Sequence, residues 1–514
     1  MDHIATRRQF LRNLTSGWAL LVVEVAVALV LTPFIILKLG ASAYGIWSLM
    51  IGVIGYMGLV DVGLRGAVGR YVNHYLARAD TKALDEVVST SCAVLTAMAA
   101  VAGILAVALG HNFSAVFPKT PPDLLDDIRL ALPLLAFGLW LSFMSAILGN
   151  LLSAKEAMYM TNGFGLLTLI LRSAGVVLVL GTGHGIVGLV LVNLAAALVG
   201  LGLTLWMVKR VFLRETPRFV GFSTERLMEM WRFGVASFVS RTASTLANDS
   251  APIIGMWILG PEAVAIYSVA LTLTQNARRL QDLANTAIFP SVMRAGALKD
   301  LAGLRGLYLR FMDISFAIGS LVFIALIVFG ADFITLWVGP QFTPGALVVG
   351  VLAFGYLLQS IASTAPSTLQ SLDRIAVTVK IGVGEAVACV VLTAALPGMF
   401  GLGLLGMALG STLPRLFSNL ALYPLLAVHV MGPDLRLLLP RAISRNLALC
   451  VGVTAVFWGL HLLIPGRNWP MLAASVSAAC GLHVLLMATC YEGLPVIGDV
   501  TDRLRRRLRQ QRQP

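Results

Sequence analysis

Residues 14–37 read LTSGWALLVVEVAVALVLTPFIIL, and this stretch decides the fold. A helix needs about 20 predominantly apolar residues to cross a hydrocarbon core, and this run exceeds that with one charged side chain, Glu24. A strand of that length and apolarity would leave its backbone groups unpaired in lipid, so a helix is the reading. Working outward, further apolar windows occupy residues 44–60, 87–109, 130–152, 164–180 and 186–208. A second series covers 233–259, 263–283, 311–338, 346–369, 375–396 and 402–428, and a last pair covers 447–464 and 471–490. The expectation is an all-α integral membrane protein with fourteen transmembrane helices.

Composition agrees. Of 514 residues 58% are apolar and 12% charged, and the mean hydropathy is +0.86, whereas a soluble chain carries roughly a quarter charged residues. Fourteen spans leave only short connections, which excludes a large soluble catalytic domain. Cys92, Cys389, Cys450, Cys480 and Cys490 all lie in apolar stretches without metal-ligand spacing. The seven histidines are scattered with no zinc-type pair, and no G-x-x-x-x-G-K-[ST] loop is present. No enzyme chemistry, metal or cofactor is therefore expected.

The net charge of +13 is distributed asymmetrically. With the amino end inside, alternate connections collect 31 of the 38 Lys and Arg, only Lys38, Lys119, Arg129 and Arg467 fall outside, and Arg172, Arg241 and Arg415 lie within spans. This is the positive-inside pattern, and it places both termini in the cytoplasm. The tail with Arg503, Arg505, Arg506, Arg507, Arg509 and Arg512 then faces anionic lipid heads, with no nucleic acid as a partner.

The two six-helix series resemble each other. Arg12 matches Arg232, Pro33 matches Pro252, and Leu39-Gly40 matches Leu259-Gly260. Leu135-Ala136-Phe137-Gly138 recurs as Leu352-Ala353-Phe354-Gly355, and Gly185-Ile186-Val187-Gly188 as Gly403-Leu404-Leu405-Gly406. Ordered matches at nearly constant offsets indicate an internal duplication. Six helices is an even number, so the copies share one orientation and are related by an axis along the membrane normal. The expected organisation is an N-lobe at 1–208, a C-lobe at 209–430, and helices 13 and 14 with the basic tail at 431–514. Pro33 and Pro252 mark either hinges or packing kinks.

Glu24, Arg172, Arg241, Asp249, Glu385 and Arg415 lie well inside apolar spans. A lipid-facing charge costs about 2.5–3.5 kcal/mol on translocon-type scales, so these groups must pair or face a wet cavity. At 1.5 Å per residue, Arg241 and Arg172 lie about 12 Å or slightly more from the cytoplasmic helix ends. An anionic substrate entering from the inner leaflet meets Arg172, Arg241 and Arg415 there, and the guanidinium fork suits phosphate oxygens. The alternative is structural pairing, for example of Arg241 with Glu24. Arg278 and Arg279 stand near the cytoplasmic end of the eighth helix. Glu24, Asp249 and Glu385 either couple transport to sodium or protons or neutralise the arginines.

The opening of the chain carries a recognisable pattern: Arg12-Asn13, Thr32-Pro33-Phe34-Ile35-Ile36, Leu39-Gly40, Tyr44-Gly45-Ile46-Trp47, and Asp61-Val62-Gly63-Leu64 with Arg70-Tyr71. It resembles the bacterial polysaccharide transport family of the multidrug/oligosaccharidyl-lipid/polysaccharide (MOP) exporter superfamily, which includes O-antigen-type lipid-linked oligosaccharide flippases. The resemblance implies a V-shaped, MATE-like pair of lobes with helices 1, 2, 7 and 8 lining a cavity near Glu24, Asp61, Arg241, Asp249 and Arg278. It further implies a polyprenyl-pyrophosphate oligosaccharide as substrate, turned from the cytoplasmic to the outer leaflet of the inner membrane by alternating access. A polysaccharide polymerase or export machinery is the implied protein partner. Asp61 matches the family pattern at the end of the second helix, where it suits a cap for a following loop.

On this reading Arg241, Arg172, Arg415 and Arg278 are candidates for pyrophosphate and glycan, and Glu24, Asp249 and Glu385 for ion coupling or charge balance. A sodium- or proton-coupled exporter of drugs or metabolites is the alternative. A peptidoglycan-precursor flippase is another, although those cavities are richer in arginine and the first helix here offers Glu24. A membrane polymerase or ligase would use a sizeable external loop, and the longest here, between Gly110 and Asp127, is under twenty residues.

Overall fold

The computed structural model describes residues 2–155, 158–212, 218 and 220–490, and its regular structure is entirely helical. The arginine-rich tail lies outside the described residues. The chain divides into two compact units, Met1–Ser268 and Val269–Pro514.

The first unit contains α1 (Asp2–Leu39), α2 (Ala41–Met57), α3 (Leu59–Ala77), α4 (Thr81–His111), α5 (Phe113–Val116), α6 (Leu125–Ala154), α7 (Met158–Gly181), α8 (Gly185–Phe212), α9 (Thr224–Ile258) and the first turns of α10 (Pro261–Ala297). The second holds the rest of α10, then α11 (Leu301–Val338), α12 (Gly345–Ala362), α13 (Ala365–Ser371), α14 (Ile375–Gly398), α15 (Gly403–Phe417), α16 (Tyr423–Met431), α17 (Pro433–Leu463) and α18 (Trp469–Cys490).

All fourteen apolar windows fall on helix, and ten of the described helices are long and apolar enough to cross a membrane. The other four windows miss that standard for visible reasons. The helix α2 has 17 residues, α9 and α10 carry charges such as Arg241, Asp249, Arg278 and Asp282, and a π-helical turn at 418–422 separates α15 from α16. One local expectation is corrected. No loop follows Asp61, because Gly58 only interrupts the helix and α3 continues to Ala77; the Asp61 side chain itself lies outside the described residues.

The duplication is written into the backbone. Positive φ recurs at matched positions: Gly40 (+81°) and Gly260 (+101°), Ala79 (+53°) and Lys299 (+54°), Gly183 (+84°) and Gly401 (+65°), Gly185 (+56°) and Gly403 (+53°). The next residues after the second pair, Asp80 and Asp300, both cap their helices by accepting from the amides of Ala83 (3.0 Å) and Gly303 (2.8 Å). Packing repeats as well: α4 on α6, α6 on α8 and α7 on α8 in the first unit, and α11 on α12, α12 on α15 and α14 on α15 in the second.

In the first unit two apolar cores hold the helices. One gathers Val68, Val72, Val87, Leu95 and Phe143, the other Ile46, Leu49, Phe113, Ile128 and Leu132. The helix α9 packs on α3, α2 and α4, so the first helix of the second repeat belongs to this unit. In the second unit α17 and α18 are fastened to α11 by polar contacts. Asp313 pairs with Arg445 and accepts from Asn446 Nδ2 at 3.3 Å. Asp332 accepts from the Gly466 amide at 3.1 Å and faces His461 Nδ1 at 3.4 Å. These two aspartates are charges within an apolar helix that the sequence inventory left out, and their partners explain how they are tolerated.

Candidate functional site

A cavity of about 680 Å³ lies inside the first unit, bounded by α1, α2, α6, α7 and α8. Glu24 of α1 and Arg172 of α7 both line it, so two of the candidate charges meet in one hollow. The rest of its polar lining comes from uncharged side chains on apolar helices, among them Ser142, Thr168, Asn193 and Thr204. Their geometry is dictated by the helix. Ser142 and Thr204 donate to the carbonyls of Gly138 (3.1 Å) and Gly200 (2.8 Å), Thr168 to Phe164 (2.9 Å), and Asn193 Nδ2 to Leu189 (2.7 Å). A hydroxyl that gives its proton to the preceding turn keeps only oxygen lone pairs for a ligand. These three hydroxyls therefore offer oxygen lone pairs to a ligand, while the Arg172 guanidinium and the second Nδ2 hydrogen of Asn193 are donors.

The second unit gathers three other candidates. Arg415 of α15 is 8% exposed. Its Nε stands 4.0 Å from Glu385 Oε1 on α14, and its Nη1 donates to Tyr356 Oη of α12 at 3.4 Å. The Arg278 guanidinium lies 5.1 Å from the centre of the Tyr356 ring and its Nε 3.7 Å from Asp282. Tyr356 is thus the hub between two arginines, and the π-helical turn follows directly after this cluster. Such turns recur at functional sites.

Arg241 and Asp249 lie on α9, Arg241 exposed and Asp249 half-buried. Neither lines the Glu24–Arg172 cavity. Nearer the start of α9, Arg226 binds three partners: Glu86 at 3.0 Å, Glu229 at 3.0 Å and the Tyr75 hydroxyl at 2.8 Å. Burial works against the Arg226 charge, but the hydrogen bonds to Glu229 and Glu86 outweigh it and raise its pKa above the ordinary arginine value. The preceding chain is pinned to α4, with the amides of Arg218, Val220 and Ser223 donating to Asp85, Ser89 and Thr90 at 2.9–3.0 Å.

The sequence reading found the charges and missed the hydroxyls. A Thr or Asn at helical spacing within an apolar span was the available signal, as at Thr161, Thr168 and Arg172 on α7 or Asn193 and Thr204 on α8. Tyr356 was likewise legible one residue beyond the repeated Leu352-Ala353-Phe354-Gly355.

Ten of the described helices long and apolar enough to cross a membrane, together with a duplicated helical plan, are the organisation of a multi-pass membrane protein. The profile of the family described as "Polysaccharide biosynthesis protein" matches residues 7–295, more than half of the chain, and this protein belongs to that family. Among curated relatives, the uncharacterized membrane protein EpsK of Bacillus subtilis (strain 168) is 23% identical over 91% of this chain and 92% of its own. The putative O-antigen transporter of Shigella flexneri is 23% identical over 69% of this chain and 83% of its own.

Solved structures share the fold. The lipid II flippase MurJ in an inward closed conformation aligns with a TM-score of 0.71 at 11% identity, covering 93% of this chain and 98% of that one. A multidrug resistance MATE family transporter of the MOP superfamily, inward-facing, aligns with a TM-score of 0.65 at 15% identity, covering 81% and 96%. The chain is thus a multi-pass membrane member of the polysaccharide biosynthesis family, with the helical fold that these MOP-superfamily structures share.

Proposed function

We propose that the protein flips a polyprenyl-pyrophosphate oligosaccharide from the cytoplasmic to the outer leaflet of the inner membrane by alternating access, in the synthesis of a cell-surface polysaccharide. The observation that carries this reading is the Glu24–Arg172 cavity, a hollow in a membrane-embedded helical unit whose mostly apolar walls carry a set of hydroxyl and amide side chains. A hydrated headgroup recovers at these polar side chains part of the hydrogen bonding it leaves behind in water. The name of the Shigella flexneri relative, a putative O-antigen transporter, supports the same substrate class. Arg241 and Arg278, neither of which lines that cavity, supply the cationic charge that a pyrophosphate requires, and the positive-inside pattern supports cytoplasmic termini.

The test is reconstitution in liposomes with a fluorescent polyprenyl-pyrophosphate oligosaccharide. Protein-dependent loss of the label from the leaflet of origin supports flipping; no change in leaflet accessibility overturns it in favour of a soluble-substrate exporter. Collapsing the sodium and proton gradients separately in the same liposomes identifies the coupling ion. In cells, Arg241→Ala is expected to impair complementation of a flippase-deficient strain at unchanged membrane abundance. Normal export by that variant removes Arg241 from the site.

A further inference from the structure

The two repeats carry different side chains at corresponding positions. The helices α7 and α14 have equal length and run from Met158 and Ile375, 217 positions apart, so Thr168 corresponds to Glu385. The Leu-Ala-Phe-Gly repeat brings Leu139 into correspondence with Tyr356, and the Gly-x-x-Gly repeat brings Ala197 into correspondence with Arg415. Leu139, Thr168 and Ala197 all line the first-unit cavity. Their counterparts are the Tyr356, Glu385 and Arg415 that contact one another in the second unit. In one copy the positions carry short side chains around a hollow of about 680 Å³. In the other they carry a phenol, a carboxylate and a guanidinium, largely buried and joined through Arg415.

We infer that the first-unit cavity is a subsite for the sugar residues of the substrate, and that the second repeat has closed the equivalent space with its own side chains. This rests on the flippase reading and goes further by naming which part of the substrate enters which repeat. The class follows from donor and acceptor inventory. Ser142, Thr168 and Thr204 spend their protons on helix carbonyls, so they offer acceptors. A pyrophosphate is itself only an acceptor and gains nothing from them, whereas a pyranose is a ring of hydroxyl donors. Glu24 opposite Arg172 cancels the net charge that would otherwise favour a polyanion. The sugar hydroxyls bind the lining oxygens, and the diphosphate stays outside this hollow.

The test uses the full-length protein in nanodiscs and two probes extracted from the source strain: the polyprenyl pyrophosphate bearing its oligosaccharide, and the same lipid without sugar. Wild type is expected to bind the glycosylated lipid about tenfold or more tighter than the bare one. The variant Leu139→Tyr/Thr168→Glu/Ala197→Arg, which installs the side chains of the second repeat, is expected to bind both alike. The pair Thr168→Val/Thr204→Val removes acceptors at nearly constant volume, serves if the triple variant does not fold, and is expected to lose most of the preference.

Wild type that binds neither lipid overturns the flippase reading itself. Wild type that binds both equally, or variants that keep the full preference, overturns the sugar subsite and leaves the flippase reading standing. Binding of both lipids lost together in Arg172→Gln, with the preference in Thr168→Val/Thr204→Val intact, places the pyrophosphate in the cavity instead.

Discussion

Gly45 lies directly against the backbone of Pro261: a Cβ built on the glycine would stand 2.0 Å from the Pro261 carbonyl oxygen. The opening motif Tyr44-Gly45-Ile46-Trp47 thus owes its glycine to a crossing of α2 over the first turn of α10. A backbone atom at that distance has no rotamer to change, so the overpacking must move a helix. Gly45→Ala is expected to cost about 1–3 kcal/mol or more and to lower the amount of folded protein in detergent, read by fluorescence-detected size exclusion after heating. Gly52→Ala in the same helix meets nothing within 4 Å and is expected to behave as wild type.

That contact shows where the sequence was readable and where it was not. The long apolar windows placed the helices because each must satisfy its own backbone in lipid, and the Gly-x-x-Gly that marked the duplication sits at a tight crossing that the sequence did not announce: a Cβ on Gly406 would stand 2.6 Å from the nitrogen of Pro397. The charges Glu24, Arg172, Glu385 and Arg415 stood out because lipid makes them costly. Which of them share a hollow depends on how α1 packs on α7 and α14 on α15, and side-chain packing carries no linear signature. Ser142, Thr168 and Asn193 stayed hidden because a hydroxyl or amide that bonds the preceding turn is cheap in an apolar helix and leaves hydropathy almost unchanged. Asp313 and Asp332 carry the same cost and were legible by it; their partners Arg445 and Gly466, more than a hundred residues away, were not.

The Asp313 pair gives an asymmetric prediction. The aspartate is 8% exposed, while the Arg445 side chain is 45% exposed. Arg445→Met strands a buried carboxylate with only Asn446 to bind it, a loss of roughly 3–5 kcal/mol for a buried pair. Asp313→Asn strands a guanidinium that can turn toward solvent, and it should cost clearly less. The double variant Asp313→Leu/Arg445→Met should recover most of the thermal stability lost in Arg445→Met. A double variant that is no better than Arg445→Met alone would show that the pair does not hold α17 on α11.

Arg226 predicts a pH response by its sign. Its pKa is raised on folding, because the bonds to Glu229 and Glu86 outweigh burial. A raised group contributes stability that is complete below its unfolded pKa and is lost only as pH climbs past the folded value. Unfolding temperature should therefore gain no slope from Arg226 between about pH 6 and pH 10. Arg226→Gln should lower stability by roughly 1–3 kcal/mol across that whole interval. Arg226→Lys should rescue little of it, since one ammonium cannot bind Glu86 through Nε while serving Tyr75 and Glu229 through Nη1. A loss that appears only at one end of the interval would assign the effect to a different group.

Arg415 separates a substrate contact from an internal fill. In the second unit it touches Glu385 and Tyr356, and removing it alone takes the nearest cation from the Glu385 carboxylate at low dielectric, leaving it the Ser418 hydroxyl and the Arg278 charge. Arg415→Met should therefore reduce membrane abundance and, through abundance, export. Arg415→Met/Glu385→Met removes both charges at similar volume, and replacing a whole buried pair by apolar side chains is often neutral or stabilising. Abundance is expected to return in the double variant, and cell-surface polysaccharide with it, because on the sugar-subsite reading no part of the substrate enters that space. The decisive measurement is polysaccharide per molecule of folded protein. A double variant restored in amount but silent in export would mean that the guanidinium meets the travelling pyrophosphate, and that Glu385 holds it in place until the substrate arrives.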